Sequence, residues 1–165
     1  MAGRLPAAAP GFKLRAMADQ TKQSDNDPFD LNRFVEAQEG MYQRALGELH
    51  RGRKASHWIW FIFPQIQGLG TSSTSKLYAI KSAEGAKAYL AHNLLGPRLL
   101  ECCEALISIQ GKSASEILGF PDDLKLRSSM TLFASVSTSG SVFSRVLDQY
   151  FEGKPDKRTL ELLKL

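Results

Sequence analysis

Two short stretches of this chain carry residues whose types and spacing could do chemistry. In the first, Ser56-His57-Trp58-Ile59-Trp60-Phe61-Ile62-Phe63 leads into Pro64-Gln65, so a histidine, two indoles and a carboxamide interrupt an apolar run. Polar groups in so apolar a setting either complete a core or line a cavity. Indoles fill core volume but need partners for their N–H groups, and the same flat faces stack on a base or a nicotinamide-like ring. His57 alone reads more readily as a satisfied or exposed histidine than as a general base. The second stretch is Asp122-Asp123-Leu124-Lys125-Leu126-Arg127-Ser128-Ser129-Met130. On a helix, each residue turns about 100°, which sets Asp122, Lys125 and Ser129 on successive turns along the edge of a stripe formed by Leu126, Met130 and Phe133. That is the geometry of a pocket wall, and equally of a surface Asp–Lys pair worth a few tenths of a kcal/mol. A Ser129 nucleophile activated by Lys125 would need an oxyanion arrangement that the sequence does not offer.

Taken together, His57, Trp58, Trp60 and Gln65 on one side and Asp122, Lys125, Arg127, Ser128 and Ser129 on the other make a candidate ligand site. A small nucleotide or an ADP-ribose-like molecule would stack at the aromatic end and meet cations and hydroxyls at the other. Catalytic residues are not assigned, and whether the domain is an enzyme stays open. The competing expectation is a non-enzymatic protein-interaction module, marked by an exposed apolar patch of more than a few hundred Å².

Other chemistries are poorly served. Gly68-Leu69-Gly70 followed by Thr71-Ser72-Ser73-Thr74-Ser75-Lys76 superficially suggests a phosphate cradle, but a Walker sequence has glycine directly before its lysine and Ser/Thr directly after. Lys76 lies between Ser75 and Leu77, and a flexible loop with a Ser/Thr helix cap is the simpler reading. The chain has no H-E-x-x-H, EF-hand, G-x-S-x-G or G-x-G-x-x-G pattern. Its two cysteines, Cys102 and Cys103, are adjacent and so point about 100° apart on a helix. They read as buried thiols in a reducing compartment, with no disulfide, no metal and no cofactor expected, and the cytoplasm is the expected location.

The elements that must position these residues are helical. The 43% hydrophobic and 23% charged residues are those of a globular chain. Its longest apolar run stops at Pro64, well short of the ~18 residues that a membrane span needs, so no membrane partner is expected. Of the 21 Lys and Arg, Arg4, Lys13 and Arg15 fall in an acid-free start, leaving 18 bases against 17 acids beyond residue 15. The rest of the chain is nearly neutral. Arg51, Arg53 and Lys54 read as a solvated stripe, and nucleic acid is not an expected partner.

Residues 1–26, with Pro6, Pro10 and little apolar periodicity, read as a disordered tail in which Met17 could equally serve as the start. Organelle import by that tail stays open, and the oligomeric state is not legible. A helical domain is expected over 27–165. Asp27-Pro28 reads as a cap and first turn, and Leu31, Phe34, Val35, Gln38, Tyr42, Ala45, Leu46 and Leu49 predict one helix running to Gly52. The run around Trp58 is apolar on all sides and fits either a buried strand or a short core helix, of which a buried helical turn is the favoured reading. Further helices are expected after the Thr71–Ser75 cluster, after Ser82, near Pro97, after the Ser113-Ala114-Ser115-Glu116 capping box, after an Asp122 cap, after Ser141 and over 155–163. With alternating patterns absent, the fold class expected is all-α, a compact single-domain bundle of short helices.

The ordered set of motifs also resembles a known family. Asp27-Pro28-Phe29-Asp30-Leu31 with Arg33-Phe34, Ser56-His57-Trp58 with Trp60-Phe61-Ile62-Phe63-Pro64-Gln65, Gly68-Leu69-Gly70 and Tyr78-Ala79-Ile80 open the series. Ala88-Tyr89-Leu90, Leu95-Gly96-Pro97-Arg98-Leu99 and Asp122-Asp123-Leu124-Lys125 with Arg127-Ser128-Ser129-Met130-Thr131-Leu132-Phe133 complete it. Over about residues 27–163 the chain is similar to the largely bacterial family of unknown function 1810. The resemblance implies a mainly helical domain and no established activity. Some members carry the label calpastatin. That label does not suit this chain, because calpastatin-type inhibitors are disordered segments that fold on a protease, whereas the aromatic-rich pattern here is that of a core.

Overall fold

A computed structural model of the protein describes residues 26–165. The expected tail, apart from Asn26, and the question of Met17 lie outside the described residues. By its contacts the chain divides into Met1–Asn32 and Arg33–Leu165. In the first unit the Asp27 carboxylate accepts the backbone N–H groups of Leu31 and Asn32, each at 2.8 Å. The chain turns over residues 28–31, with Asp30 at φ +50°, and the helix begins at Asn32, later than the Asp27-Pro28 signal implied.

The single helix predicted through Gly52 is two: α1 (Asn32–Gln38) and α2 (Tyr42–His50). Gly40 lies between them at φ +73°, a conformation that costs glycine little and L residues much. Periodicity concealed the break because the apolar spacing runs straight across it. The elements that follow are α3 (Ile59–Ile62), α4 (Ser73–Leu77), α5 (Ala83–Ala91), α6 (Leu95–Ser108), α7 (Ala114–Leu118), α8 (Asp122–Ser135), α9 (Val142–Phe151) and α10 (Lys157–Leu163). Five helix starts are capped by side chains, Ser72, Ser82, Ser113, Ser141 and Asp156 each accepting the N–H three residues on. α8 starts without one: Pro121 precedes it with no capping bond, and Asp122 is engaged elsewhere. Residues 33–165 thus form an all-α bundle of short helices. Among the described residues the one β feature is an isolated parallel bridge between Ile66 and Ile80, which no alternating pattern foreshadows.

α8 is the central rod. It packs against α3, α5, α7, α9 and α10, so it has little polar face to offer, and Leu126 and Ser128 to Phe133 are all buried. Its hydroxyls turn back onto the helix: Ser128 Oγ donates to the Leu124 carbonyl at 3.1 Å and Thr131 Oγ1 to that of Arg127 at 2.8 Å. The expectation that Ser129 borders the apolar stripe is corrected here. Ser129 is wholly buried and its Oγ has no hydrogen-bond partner. Around the rod, Phe34 meets Tyr89 edge-on at 5.2 Å, Tyr89 meets Phe133 at 5.4 Å and Phe133 meets Phe143 at 5.6 Å. α5 and α6 join tightly because Gly96 leaves room for the Leu90 carbonyl, which a Cβ there would meet at 2.1 Å. Cys102 and Cys103 are both buried and free, and Cys103 Sγ lies 3.7 Å from Met130 Sδ. Burial pushes the Cys102 thiol up to about 12 and that of Cys103 well above its ordinary value, so both are held in the unreactive thiol form. No helix among the described residues is long and apolar enough to cross a membrane.

Two buried polar centres hold the elements in register. Gln38 Nε2 donates to the Phe61 carbonyl at 2.8 Å and to Tyr89 Oη at 3.1 Å, while its Oε1 accepts from Arg98 at 3.3 Å. Glu48, 2% exposed, accepts from Ala55 N at 2.9 Å, Ser56 N at 3.1 Å, Ser56 Oγ at 2.5 Å and Trp58 Nε1 at 2.7 Å. Burial alone would raise the Glu48 pKa. The donors from Ser56, Ala55 and Trp58 outweigh it and hold the group at about 2, against an ordinary 4.5.

Because the folded pKa is depressed, the stabilisation from Glu48 is complete above about pH 4.5 and is lost as the pH falls toward 2. Glu48→Gln should cost about 2–4 kcal/mol at neutral pH in urea denaturation and should flatten the acid limb of the stability profile. A variant as stable as the parent, with the same acid limb, would remove Glu48 from this role. Ser129→Ala should be neutral or stabilising by up to about 1 kcal/mol, since it removes a buried hydroxyl with no partner, whereas Leu126→Ala should cost about 2–5 kcal/mol. Equal losses in the two variants, measured by the same denaturation, would contradict this account of α8.

Candidate functional site

The Glu48 centre decides which tryptophan meets the surface. With its indole N–H on the carboxylate, Trp58 points inward and is wholly buried, its ring 6.2 Å from that of Phe63. Two residues on, about 200° around the turn, Trp60 emerges on the other side of α3, half-buried. There it forms the wall of a cleft of about 240 Å³.

Four segments supply the rest. The Ile66–Ile80 bridge, with Ile80 N on the Gln65 carbonyl and Gln67 N on that of Ile80, both at 2.8 Å, sets Gln65, Ile66, Leu69 and Tyr78 on one side. Ser75 comes from α4. Pro121, Leu124, Lys125 and Ser128 come from the start of α8, and Asp156 from the α9–α10 connection. In the Ser/Thr loop, Ser72 and Ser75 are committed to each other rather than to an anion cradle: Ser72 Oγ donates to Ser75 Oγ, and Ser75 Oγ to the Ser72 carbonyl, both at 2.9 Å.

Charge in the cleft is organised by a relay of alternating partners. Lys54, whose side chain is 8% exposed, lies 5.2 Å from the centroid of the Trp58 ring and pairs with Asp122 at 2.8 Å. Asp122 also pairs with Lys125 at 3.3 Å, and Lys125 Nζ stands 4.6 Å from the centroid of the Trp60 ring. The relay starts and ends on the two indoles of one helical turn. It also corrects the reading of Lys54 as part of a solvated stripe and of Asp122 as a helix cap: the two meet each other instead. Asp122 is shared between Lys54 and Lys125, and Lys125 is the cation that lines the cleft, balanced there by the Asp156 carboxylate.

Across the cleft, Asp156 is held by its own neighbours. Its Oδ2 accepts from Ser128 Oγ at 3.1 Å, from Thr159 N at 3.1 Å and, in a short bond, from Thr159 Oγ1. Its backbone N–H donates to Thr131 Oγ1 at 2.8 Å. Ser128 Oγ thus lies within hydrogen-bond distance of both a carboxylate and the Leu124 carbonyl, which share its one proton.

Of the nine residues singled out in the sequence, Trp60, Gln65, Lys125 and Ser128 line the cleft, and Asp122 stands behind Lys125. The other four do not line it. His57 is exposed away from it, Trp58 and Ser129 are buried in the core, and Arg127 donates to the Lys154 and Pro155 carbonyls at 2.8 and 3.2 Å. Arg127 therefore fastens the loop that carries Asp156. Sequence reasoning missed Asp156 and Tyr78. For Asp156 there was a signal: an Asp three residues before Thr159 at the head of the last helix is a capping pattern. Tyr78 is placed by the Ile66–Ile80 bridge, and nothing local announces it.

No curated protein matches the chain. Among solved structures, the crystal structure of the conserved hypothetical protein Rv1873 from Mycobacterium tuberculosis superposes with a TM-score of 0.82 at 52% identity, over 84% of this chain and 99% of that one. Residues 28–163 match the family described as "Protein of unknown function (DUF1810)", a span that holds every cleft residue named above, and the chain belongs to that family.

Proposed function

We propose that the cleft binds a small ligand built around one aromatic ring with a polar periphery, a nucleoside or mononucleotide being the class that suits it. The observation that carries this reading is the meeting of Trp60 and Tyr78 with Lys125, Ser128 and Asp156 in one concavity of about 240 Å³. Apolar walls with a few converging polar groups are what small-molecule sites have in common. The volume lies below the roughly 300–1,000 Å³ of sites that enclose drug-sized ligands, which favours a nucleoside over a complete ADP-ribose-like molecule. Lys125 would meet a phosphate or ring acceptor.

An interaction module is the second reading. It draws on Phe120 and Leu124, 78% and 48% exposed, of which Leu124 also lines the cleft. The two readings part at Trp60, whose removal would damage a ring-binding cleft and leave a partner on Phe120 untouched.

Adenosine, AMP, NAD and ADP-ribose should be titrated in a thermal-shift assay. A ligand at 100 times its Kd should add about 2.7 kcal/mol, a rise of about 5–10 °C in Tm. Trp60→Ala and Lys125→Ala should each weaken binding at least about tenfold, about 1.4 kcal/mol. The Lys125 variant should lose no more than about 1 kcal/mol of stability, because its ion pair is partly exposed. The absence of stabilisation by all four compounds would overturn the proposal.

A further inference from the structure

We infer that Asp156 is the acceptor by which the cleft selects its ligand, which must present polar hydrogens to Asp156 Oδ1. This rests on the ligand site proposed above and names the chemistry that the site would recognise. All three donors that reach the carboxylate, Ser128 Oγ, Thr159 N and Thr159 Oγ1, converge on Oδ2. None of the described residues donates to Oδ1, and Asp156 lines the cleft. A helix cap needs one side-chain oxygen, as Ser82, Ser113 and Ser141 show in this chain. The second oxygen is therefore surplus to the fold.

That oxygen is also unusually well fixed. Thr131 Oγ1 accepts the Asp156 N–H and itself donates to the Arg127 carbonyl at 2.8 Å, while the Arg127 guanidinium holds the carbonyls of Lys154 and Pro155. Backbone and carboxylate are thus tied to the central helix before any ligand arrives, so little ordering would accompany binding. A charged acceptor discriminates strongly, because a ligand lacking the matching donor leaves it desolvated and unpaired. Lys125 stands in the same cleft as a donor, three residues before Ser128. The site therefore reads a donor at Asp156 and an acceptor at Lys125, and a dipolar ligand suits it better than a polyanion.

Three parts of a nucleoside supply such hydrogens, an exocyclic amine, a vicinal diol and a 5′-hydroxyl, and four probes separate them. Adenosine carries all three, purine riboside lacks the amine, 2′,3′-dideoxyadenosine lacks the diol and 5′-deoxyadenosine lacks the 5′-hydroxyl. By isothermal titration calorimetry, one truncated probe should bind the parent protein at least about tenfold more weakly than adenosine. Asp156→Asn and Asp156→Ser, both good caps for α10, should erase that difference while circular dichroism stays native. In a crystal of the adenosine complex the selected group should lie within hydrogen-bond distance of Oδ1, which tests the inference even if both variants unfold. Equal binding of the four probes, a preference that survives in both variants, or a pose that leaves Oδ1 to water would each overturn it. In those cases weakened binding by Trp60→Ala and Lys125→Ala would still uphold the cleft as the site. If none of the probes binds the parent protein, this inference and the nucleoside reading fall together.

Discussion

A carboxylate taken out of water must recover its lost hydration from the protein, and Glu48 does so from the segment that leads into α3. Its bonds to Ala55, Ser56 and Trp58 tie α2 to residues 55–58. An ion in that position costs several kcal/mol unless donors replace its solvent. The same bonds set the rotation of the next helical turn. With Trp58 turned in, Trp60 has to turn out, and the cleft inherits its aromatic wall from a charge that does not touch it. Lys54, one residue before this segment, is carried onto Asp122. The buried acid therefore aligns both the aromatic and the ionic side of the site.

The rest of the bundle adapts to α8. A helix enclosed by five neighbours cannot keep charges along its middle, so its polar residues there are small hydroxyls, two of which bond to carbonyls one turn back. Charged groups remain at its N-terminal end, where Lys125 reaches the cleft and Asp122 stands behind it. The composition of the helix thus changes along its length rather than around its circumference, and the site sits where that change occurs.

This explains what could and could not be read from the sequence. Local chemistry was legible: the caps at Ser82, Ser113 and Ser141 act within one turn, and none of the three depends on the other elements. The burial of the Ile59–Ile62 segment was legible from composition, but its helical form was not, since an all-apolar run fits a strand equally well. Facing was not legible. Trp58 and Trp60 are identical in type and two residues apart, and only the partner Glu48, ten residues before Trp58, separates core from cleft. Ser129 followed the same rule, since a stripe edge inferred from one helix says nothing about a helix enclosed on every side. Lys54 and Asp122 were each visible, yet their meeting spans 68 residues of sequence and is a property of the packed chain. Family membership was legible because ordered motifs survive without any knowledge of which way they face.

The opposed settings of Trp58 and Trp60 also have an optical consequence. They are the only two tryptophans of the chain, one sealed in the core with its N–H on a carboxylate, the other half-buried beneath an ammonium group. Their emission bands report on separate events. The buried indole follows the integrity of the Glu48 centre, and the outer one follows whatever displaces Lys125 or enters the cleft. Replacing either by phenylalanine would leave a single tryptophan, so that one variant would report unfolding and the other occupancy, each without a dye.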